Sequence, residues 1–238
     1  PQDCLYTHVT QKNTEHQRRM IASIHSVLVA PEDPEAVIDA IAGDNIHVLT
    51  LTITEKAYGL DQQSGELDPS QPDIAHDLSN PNKPRSALGF IASGLEQRFR
   101  THKNSITLIS CDNLSHNGNK LENALLQFVT LRSPDNPAFL GWIKENCCFP
   151  NTMVDRIVPA VAEQQISALA QQYGLEDRAP VFTEAFSQWV IENRFAGPMP
   201  PWDKAGAEYV DDVDAFEALK LRTLNASHSL IAYLGCLY

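Results

Sequence analysis

The stretch most suggestive of chemistry runs from Phe216 to Ser229 and reads Phe-Glu-Ala-Leu-Lys-Leu-Arg-Thr-Leu-Asn-Ala-Ser-His-Ser. On a helix turning about 100° per residue, with Lys220 at zero, Glu217 falls at about 60°, His228 at about 80° and Asn225 at about 140°. Leu221, Leu224 and Ile231 share that arc. An acid, a base, an amide and an imidazole are thus expected among residues that face a core. Buried polar groups cost free energy unless paired, and a desolvated lysine suits proton transfer near neutrality. The same spacing fits a solvated face carrying a weak Glu217–Lys220 surface pair. Spacing alone does not choose.

A second constellation is Ser110-Cys-Asp-Asn-Leu-Ser-His-Asn-Gly118, which follows an apolar β-type run. Polar residues just past the carboxyl end of a parallel strand stand where α/β sheets bind ligands. Asn113 there is able to donate an amide N–H to a developing oxyanion. Read alone, the segment is ordinary turn chemistry, with Asp and Asn as caps and Asn117-Gly118 as a turn. Thr52-Ile-Thr-Glu-Lys56 follows another strand in the same way, and its Thr52, Thr54 and Glu55 either face a cofactor or cap the next element. Asp155-Arg156 lies inside the apolar run Met153–Pro159, where a buried ion pair is the plain expectation.

Several sites are missing from the pattern. There is no G-x-G-x-x-G, no P-loop, no G-x-S-x-G and no H-E-x-x-H. The eight histidines show no metal-ligand spacing, and Cys147-Cys148 are poorly placed for one tetrahedral site. No metal is expected.

The elements that must position these groups alternate. Strands are expected at 25–30, 46–53 and 105–110, and helices at 34–42, 84–100 and 118–131, with Asp33 capping before Pro34. Residues 61–84 hold most of the turn formers and read as a long loop. This alternation predicts βαβ units and a parallel sheet, hence an α/β fold. After Met153 the character changes: a helix over 161–173 stops at Gly174, 182–192 is ambiguous, 196–206 is a Gly/Pro loop, and 215–234 is strongly helical. The expected division is 1–160 and 161–238.

Composition sets the remaining bounds. The 238 residues carry 18 basic and 30 acidic side chains, a net charge of −12. That balance argues against a general nucleic-acid binder and against docking on anionic lipid. No apolar run approaches the roughly 20 residues of a membrane span, and residues 1–20 are polar, without a secretory leader. Five scattered cysteines fit reduced thiols, so a cytoplasmic protein is expected. The chain opens on Pro1 and closes on the apolar run Ser229–Tyr238 without a cap. Both ends are expected to be cuts in a longer chain.

Together these segments resemble the mannitol dehydrogenase family, the polyol-specific long-chain dehydrogenases. The residues that carry the resemblance are Leu51–Lys56, Ser110–Asn113 with Asn117-Gly118, Phe149-Pro150 with Met153–Pro159, and Lys220–His228 running into Ala232–Gly235. They recur in the family's order across nearly the whole chain. The resemblance implies part of a Rossmann-like nucleotide-binding domain, followed by the start of a mainly α-helical domain. It implies NAD or NADP as cofactor and a sugar acid or polyol as the small-molecule partner. Lys220 then matches the catalytic acid/base, and Asn113 and Asn225 the asparagines that polarise the carbonyl oxygen, with Asn117 in reserve. His228 matches a substrate-orienting histidine. Asp155 matches a substrate-side acid with Arg156 beside it, and Glu217 a residue on the proton path. Thr52, Thr54 and Glu55 fall on the cofactor side. The family's glycine-rich phosphate loop and its further C-terminal helices have no counterpart in this chain. Residues Tyr58–Ser86 resemble the branch that interconverts fructuronate and D-mannonate; mannitol and fructose are the alternative substrates, and a non-catalytic truncated relative is the alternative of another class.

Overall fold

The computed structural model describes residues 2–12, 15–174 and 176–236, so Pro1 and the last two residues of the apolar terminal run lie outside the described residues. In chain order the elements are β1 (Tyr6–Lys12), β2 (Glu15–Ile21), α1 (Pro34–Ala42), β3 (Val48–Leu51), α2 (Pro72–Ser79), α3 (Ala87–Arg100), β4 (Ile106–Ser110), α4 (Asn117–Arg132), α5 (Pro137–Asn146), β5 (Cys147–Cys148), β6 (Thr152–Asp155), α6 (Glu163–Tyr173), β7 (Val181–Glu184), β8 (Gln188–Glu192), β9 (Glu208–Val210), α7 (Asp214–Leu219) and α8 (Ala226–Gly235). Short 3₁₀ turns cover Glu55–Tyr58 and Trp202–Ala205, and a π-helix covers Lys220–Asn225.

The chain forms two compact units, each built from two segments: Pro1–Leu28 with Asp155–Gln188, and Val29–Val154 with Trp189–Tyr238. In the smaller unit β1 pairs antiparallel with β2 and parallel with β7, over a small cluster of Val9, Leu169 and Phe182. Gly174, at φ +66°, ends α6 in the left-handed conformation that favours glycine.

The larger unit is α/β. Its main sheet runs β3-β4-β5, all parallel. β4 is buried throughout, as a central parallel strand requires. Leu88, Leu95, Leu108, Leu121, Leu125 and Phe128 from β4, α3 and α4 are fully buried in one core. Asp33 caps α1 by accepting from Ala36 N at 3.0 Å, and Ser86 caps α3 by accepting from Gly89 N at 3.0 Å. A further sheet has the order β6-β8-β9 and packs Met153, Val190 and Val213 together.

Two expectations of local structure fail. Residues 25–30 are apolar but form no strand; Val27 is 67% exposed. No strand among the described residues pairs with this run, and a β-type sequence without a partner has no ladder to join. The supposed loop over 61–84 contains α2, which begins at Pro72 and buries Ile74 and Asp77. The turn formers Asp68-Pro69 and Asn80-Pro81 flank this short helix, and Pro72 suits its first position. α5 also begins at a proline and is capped by Asn136. The ambiguous run at 182–192 resolves into parts of β7 and β8.

All five cysteines are free thiols. Burial lifts the Cys147 thiol to about 12 and, with the Asp112 charge adding to it, the Cys111 thiol to about 11.

Candidate active site

The register of β3 against β4 sets Leu51 opposite Ser110, and Cys111 N donates to Leu51 O at 2.7 Å. The two loops that follow therefore leave the sheet side by side at its carboxyl edge. Thr52, Thr54 and Glu55 lie on the first loop and are exposed. Thr54 has φ +68° and ψ 160°, a region populated almost only by glycine. The Asp112 carboxylate on the second loop accepts from Ile53 N at 3.1 Å, from Thr54 N at 2.9 Å and from the Tyr58 hydroxyl at 2.7 Å. Tyr58 is fully buried, and burial raises its phenol above the ordinary value, so it remains a donor.

Asn117 cannot serve as the reserve amide. It is fully buried, its Nδ2 lies within hydrogen-bond reach of Ser110 O, Asp112 O, Thr152 O and Thr152 Oγ1, and its Oδ1 accepts from Thr152 N at 2.9 Å. Its amide is consumed in tying the β4 loop to β6. Asn113, by contrast, is exposed, and its Oδ1 accepts from Lys220 Nζ at 2.9 Å.

Lys220 Nζ also donates to Val154 O at 2.5 Å, so the ammonium is held between the β4 loop and β6. The helix that delivers it differs from the expected single α-helix. α7 gives way at Lys220 to the π-helical turn, which ends at Asn225, where α8 takes over. A turn closed by i→i+5 bonds holds more residues than an α turn, so the about 140° of a regular wheel does not apply to Asn225. Such π turns recur at functional sites. Burial on this helix is confined to its start. Glu217 is 9% exposed, Lys220 and Asn225 are half-buried, and His228 is exposed, with Ile231 at 66% exposure. The wheel's core-facing arc thus fails from Leu221 onward, which is 52% exposed, and α8 buries none of its residues.

A cavity of about 80 Å³ opens beside these groups, lined in part by Asp112, Asn113, Val154, Glu217 and Lys220. Glu217 accepts from Ser115 Oγ at 2.8 Å and from His116 N at 3.2 Å. Although no metal was expected, Glu217, His116 and Asp214 bring ligand-type atoms within 4.8 Å of one another. Asp214 and Glu217 stand three apart on α7, and His116, far away in sequence, joins them from the loop before α4, which linear spacing does not reveal.

Asp155 and Arg156 belong to the smaller unit. The expected buried ion pair is not what forms. Arg156 is exposed and reaches His8 Nε2 at 3.3 Å and Glu184 O at 3.4 Å, while Asp155 is half-buried with interactions of its own. Burial, then the charges of Arg156 and Arg19, lowers the pKa of His8.

Gly118 lets the β4 loop turn into α4. A Cβ there would sit 2.5 Å from Phe149 O and closer still to Pro150 O. Gly118→Ala is expected to destabilise the protein by about 3 kcal/mol, the upper range for overpacking against backbone, read as a lowered urea midpoint at unchanged m-value. An unchanged midpoint would show that the loop yields freely.

The family model described as the mannitol dehydrogenase Rossmann domain matches residues 1–204. A mannitol 2-dehydrogenase of Aspergillus clavatus is 44% identical over 98% of this chain and 47% of its own length. A D-mannonate oxidoreductase of Escherichia coli is 43% identical over 99% of this chain and 48% of its own. The solved ternary complex of Pseudomonas fluorescens mannitol 2-dehydrogenase with NAD and D-mannitol superimposes with a TM-score of 0.91 at 40% identity, covering 99% of this chain and 48% of that one. The chain spans about half the length of the curated relatives it matches.

Proposed function

The chain belongs to the mannitol dehydrogenase family, and from that premise we propose that the polypeptide containing it is an NAD(P)-dependent oxidoreductase that interconverts a secondary alcohol and a ketone on an open-chain sugar derivative. The observation that carries this reading is the Lys220–Asn113 pair at the carboxyl edge of a parallel sheet, with Nζ 2.9 Å from Oδ1. That edge is where α/β sheets take nucleotides. Exposed Thr52, Thr54 and Glu55 on the adjacent loop offer hydroxyl and carboxylate groups suited to the nicotinamide end of the cofactor. When bound, the nicotinamide supplies or accepts the hydride.

The chain's own residues handle the proton and the oxygen. With its Oδ1 turned to the ammonium, Asn113 presents its amide nitrogen as a donor to an oxygen gaining negative charge. Asn225, at the end of the π turn that starts at Lys220, supplies the second amide. In reduction Lys220 gives a proton to the alkoxide oxygen; in oxidation its free amine takes the proton from the hydroxyl. Glu217, one helical turn earlier and lining the same cavity, stands on the route by which that proton reaches solvent. His228 orients the substrate.

Fructuronate, reduced to D-mannonate, is the substrate we put first. The 44% identity to a mannitol 2-dehydrogenase favours mannitol and fructose as a second reading. Assay of the complete polypeptide with fructuronate, fructose, D-mannonate and mannitol, each with both nicotinamide cofactors, separates them. Fructuronate and D-mannonate are expected to be turned over with the highest kcat/KM. Preference for mannitol and fructose selects the second reading, and no turnover of any of the four rejects both.

A further inference from the structure

The residue just before Asn113 is anchored through both its side chain and its main chain. Asp112 receives three donors on its carboxylate: the N–H groups of Ile53 and Thr54 and the hydroxyl of Tyr58. Its carbonyl oxygen accepts from Asn117 Nδ2 at 3.0 Å, and its N–H donates to Ser110 Oγ at 3.3 Å. Ser110 Oγ in turn lies 2.5 Å from the Tyr58 hydroxyl. Main chain and side chain of Asp112 are therefore both fixed, from β3, from β4 and from α4. Two things depend on it. Thr54 is held at φ +68° and ψ 160°, a conformation that a β-branched residue keeps only where its surroundings over-determine it. One bond further along the chain, Asn113 carries the amide that meets Lys220 Nζ.

We propose that Asp112 is a positioning residue: its carboxylate locks the Ile53–Thr54 loop to the β4 loop and thereby sets where the Asn113 amide stands against Lys220. This rests on the reading that Asn113 and Lys220 act on the substrate oxygen. The physical argument is geometric. A carboxylate is acceptor-only and takes several donors at once, whereas an amide of the same shape presents one acceptor atom and one donor atom. Asp112→Asn therefore keeps the volume but turns an NH₂ towards one of the N–H groups it should accept from. The loop is then released and the Asn113 amide drifts, and displacement of a reacting group by about 1 Å costs roughly 100-fold in rate.

The test is a double-mutant cycle on the complete polypeptide, pairing Asp112→Asn with Asn113→Ala. Hydrogen exchange of the segment 51–58 comes first: the Ile53 and Thr54 amides are expected to exchange faster in Asp112→Asn and to be unaffected in Asn113→Ala. The second readout is the rate at which an acylating reagent modifies Lys220 at fixed pH. Each single variant is expected to raise it, and the double variant to raise it no further than Asn113→Ala alone. Turnover is expected to fall roughly 10- to 100-fold in Asp112→Asn, with no additional loss when the change is made on the Asn113→Ala background. Unchanged exchange at 53–54, additive effects across the cycle, or unaltered turnover in Asp112→Asn each overturns the proposal. Should Asp112→Asn fail to fold, Tyr58→Phe removes one of the three donors and carries the same cycle with smaller changes. If the wild-type polypeptide turns over none of the sugars, the functional reading fails, while the exchange and acylation results still decide the role of Asp112.

Discussion

Replacement of Lys220 by alanine in the complete polypeptide is expected to lower turnover by about 10²–10⁴-fold, the usual contribution of a positioned general acid/base. Cofactor affinity should change little, because the ammonium contacts Asn113 Oδ1 and Val154 O rather than the Thr52–Glu55 loop. The stability cost should be small, about 1 kcal/mol, since the side chain is half-buried and water can partly replace its hydrogen bonds, those to Asn113 and Val154 among them. These three expectations together separate a chemical role from a structural one. Single-turnover hydride transfer reports the first, a fluorescence titration with the reduced cofactor the second, and the unfolding midpoint the third. Partial recovery of Lys220→Ala by added alkylamines would place the missing function on the amine itself. Turnover near that of the wild type would remove Lys220 from the mechanism.

How far such a site is legible from residues alone depends on what each contact is made of. Caps and stops were legible because they are local. Asp33 before Pro34 and Gly174 after α6 act within one turn of chain, and both do what their types suggest. The β4 strand was legible because burial on both faces writes an uninterrupted apolar run. The Asp112 clamp was not, since its donors sit 54 to 59 positions away and nothing in Ser-Cys-Asp-Asn distinguishes a clamp from a turn. The π turn was equally hidden: Lys-Leu-Arg-Thr-Leu-Asn is good α-helical sequence, and only the backbone reveals the i→i+5 bonds. For the same reason a regular wheel misplaces Asn225 and promises burial to His228, which is exposed. The run at 25–30 misled in the opposite sense, because pairing is a property of two strands and the sequence of one cannot supply it.

The second large effect lies at the other end of the same sheet. Arg98 on α3 is fully buried, yet no carboxylate among the described residues is within salt-bridge distance of it. Its guanidinium instead serves carbonyl oxygens: Nη1 donates to Ile41 O at 3.1 Å and Gly43 O at 2.5 Å, and Nη2 to Ile46 O at 3.0 Å, Asn104 O at 3.3 Å and Ser105 O at 3.2 Å. These acceptors belong to the end of α1 and to the segments that enter β3 and β4. A cation there also meets the negative end of the α1 dipole. The same burial lowers its pKa from the ordinary arginine value. Arg98→Met keeps much of the packing but orphans several buried carbonyls, and each unsatisfied group costs about 1–3 kcal/mol before relaxation. A net loss of about 3–5 kcal/mol is expected. At about 2–4 °C per kcal/mol for a chain of this size, the melting temperature should fall by roughly 6–20 °C. Arg98→Lys should recover only part of this, because one ammonium cannot reproduce a planar fork serving several acceptors. Well below the lowered melting temperature, kcat should stay near that of the wild type, since the carboxyl edge with Asp112, Asn113 and Lys220 does not share these contacts. A melting temperature within about 2 °C of the wild type in Arg98→Met would mean that water replaces the guanidinium at those carbonyls, and the amino edge of the sheet would then owe its order to the apolar core alone.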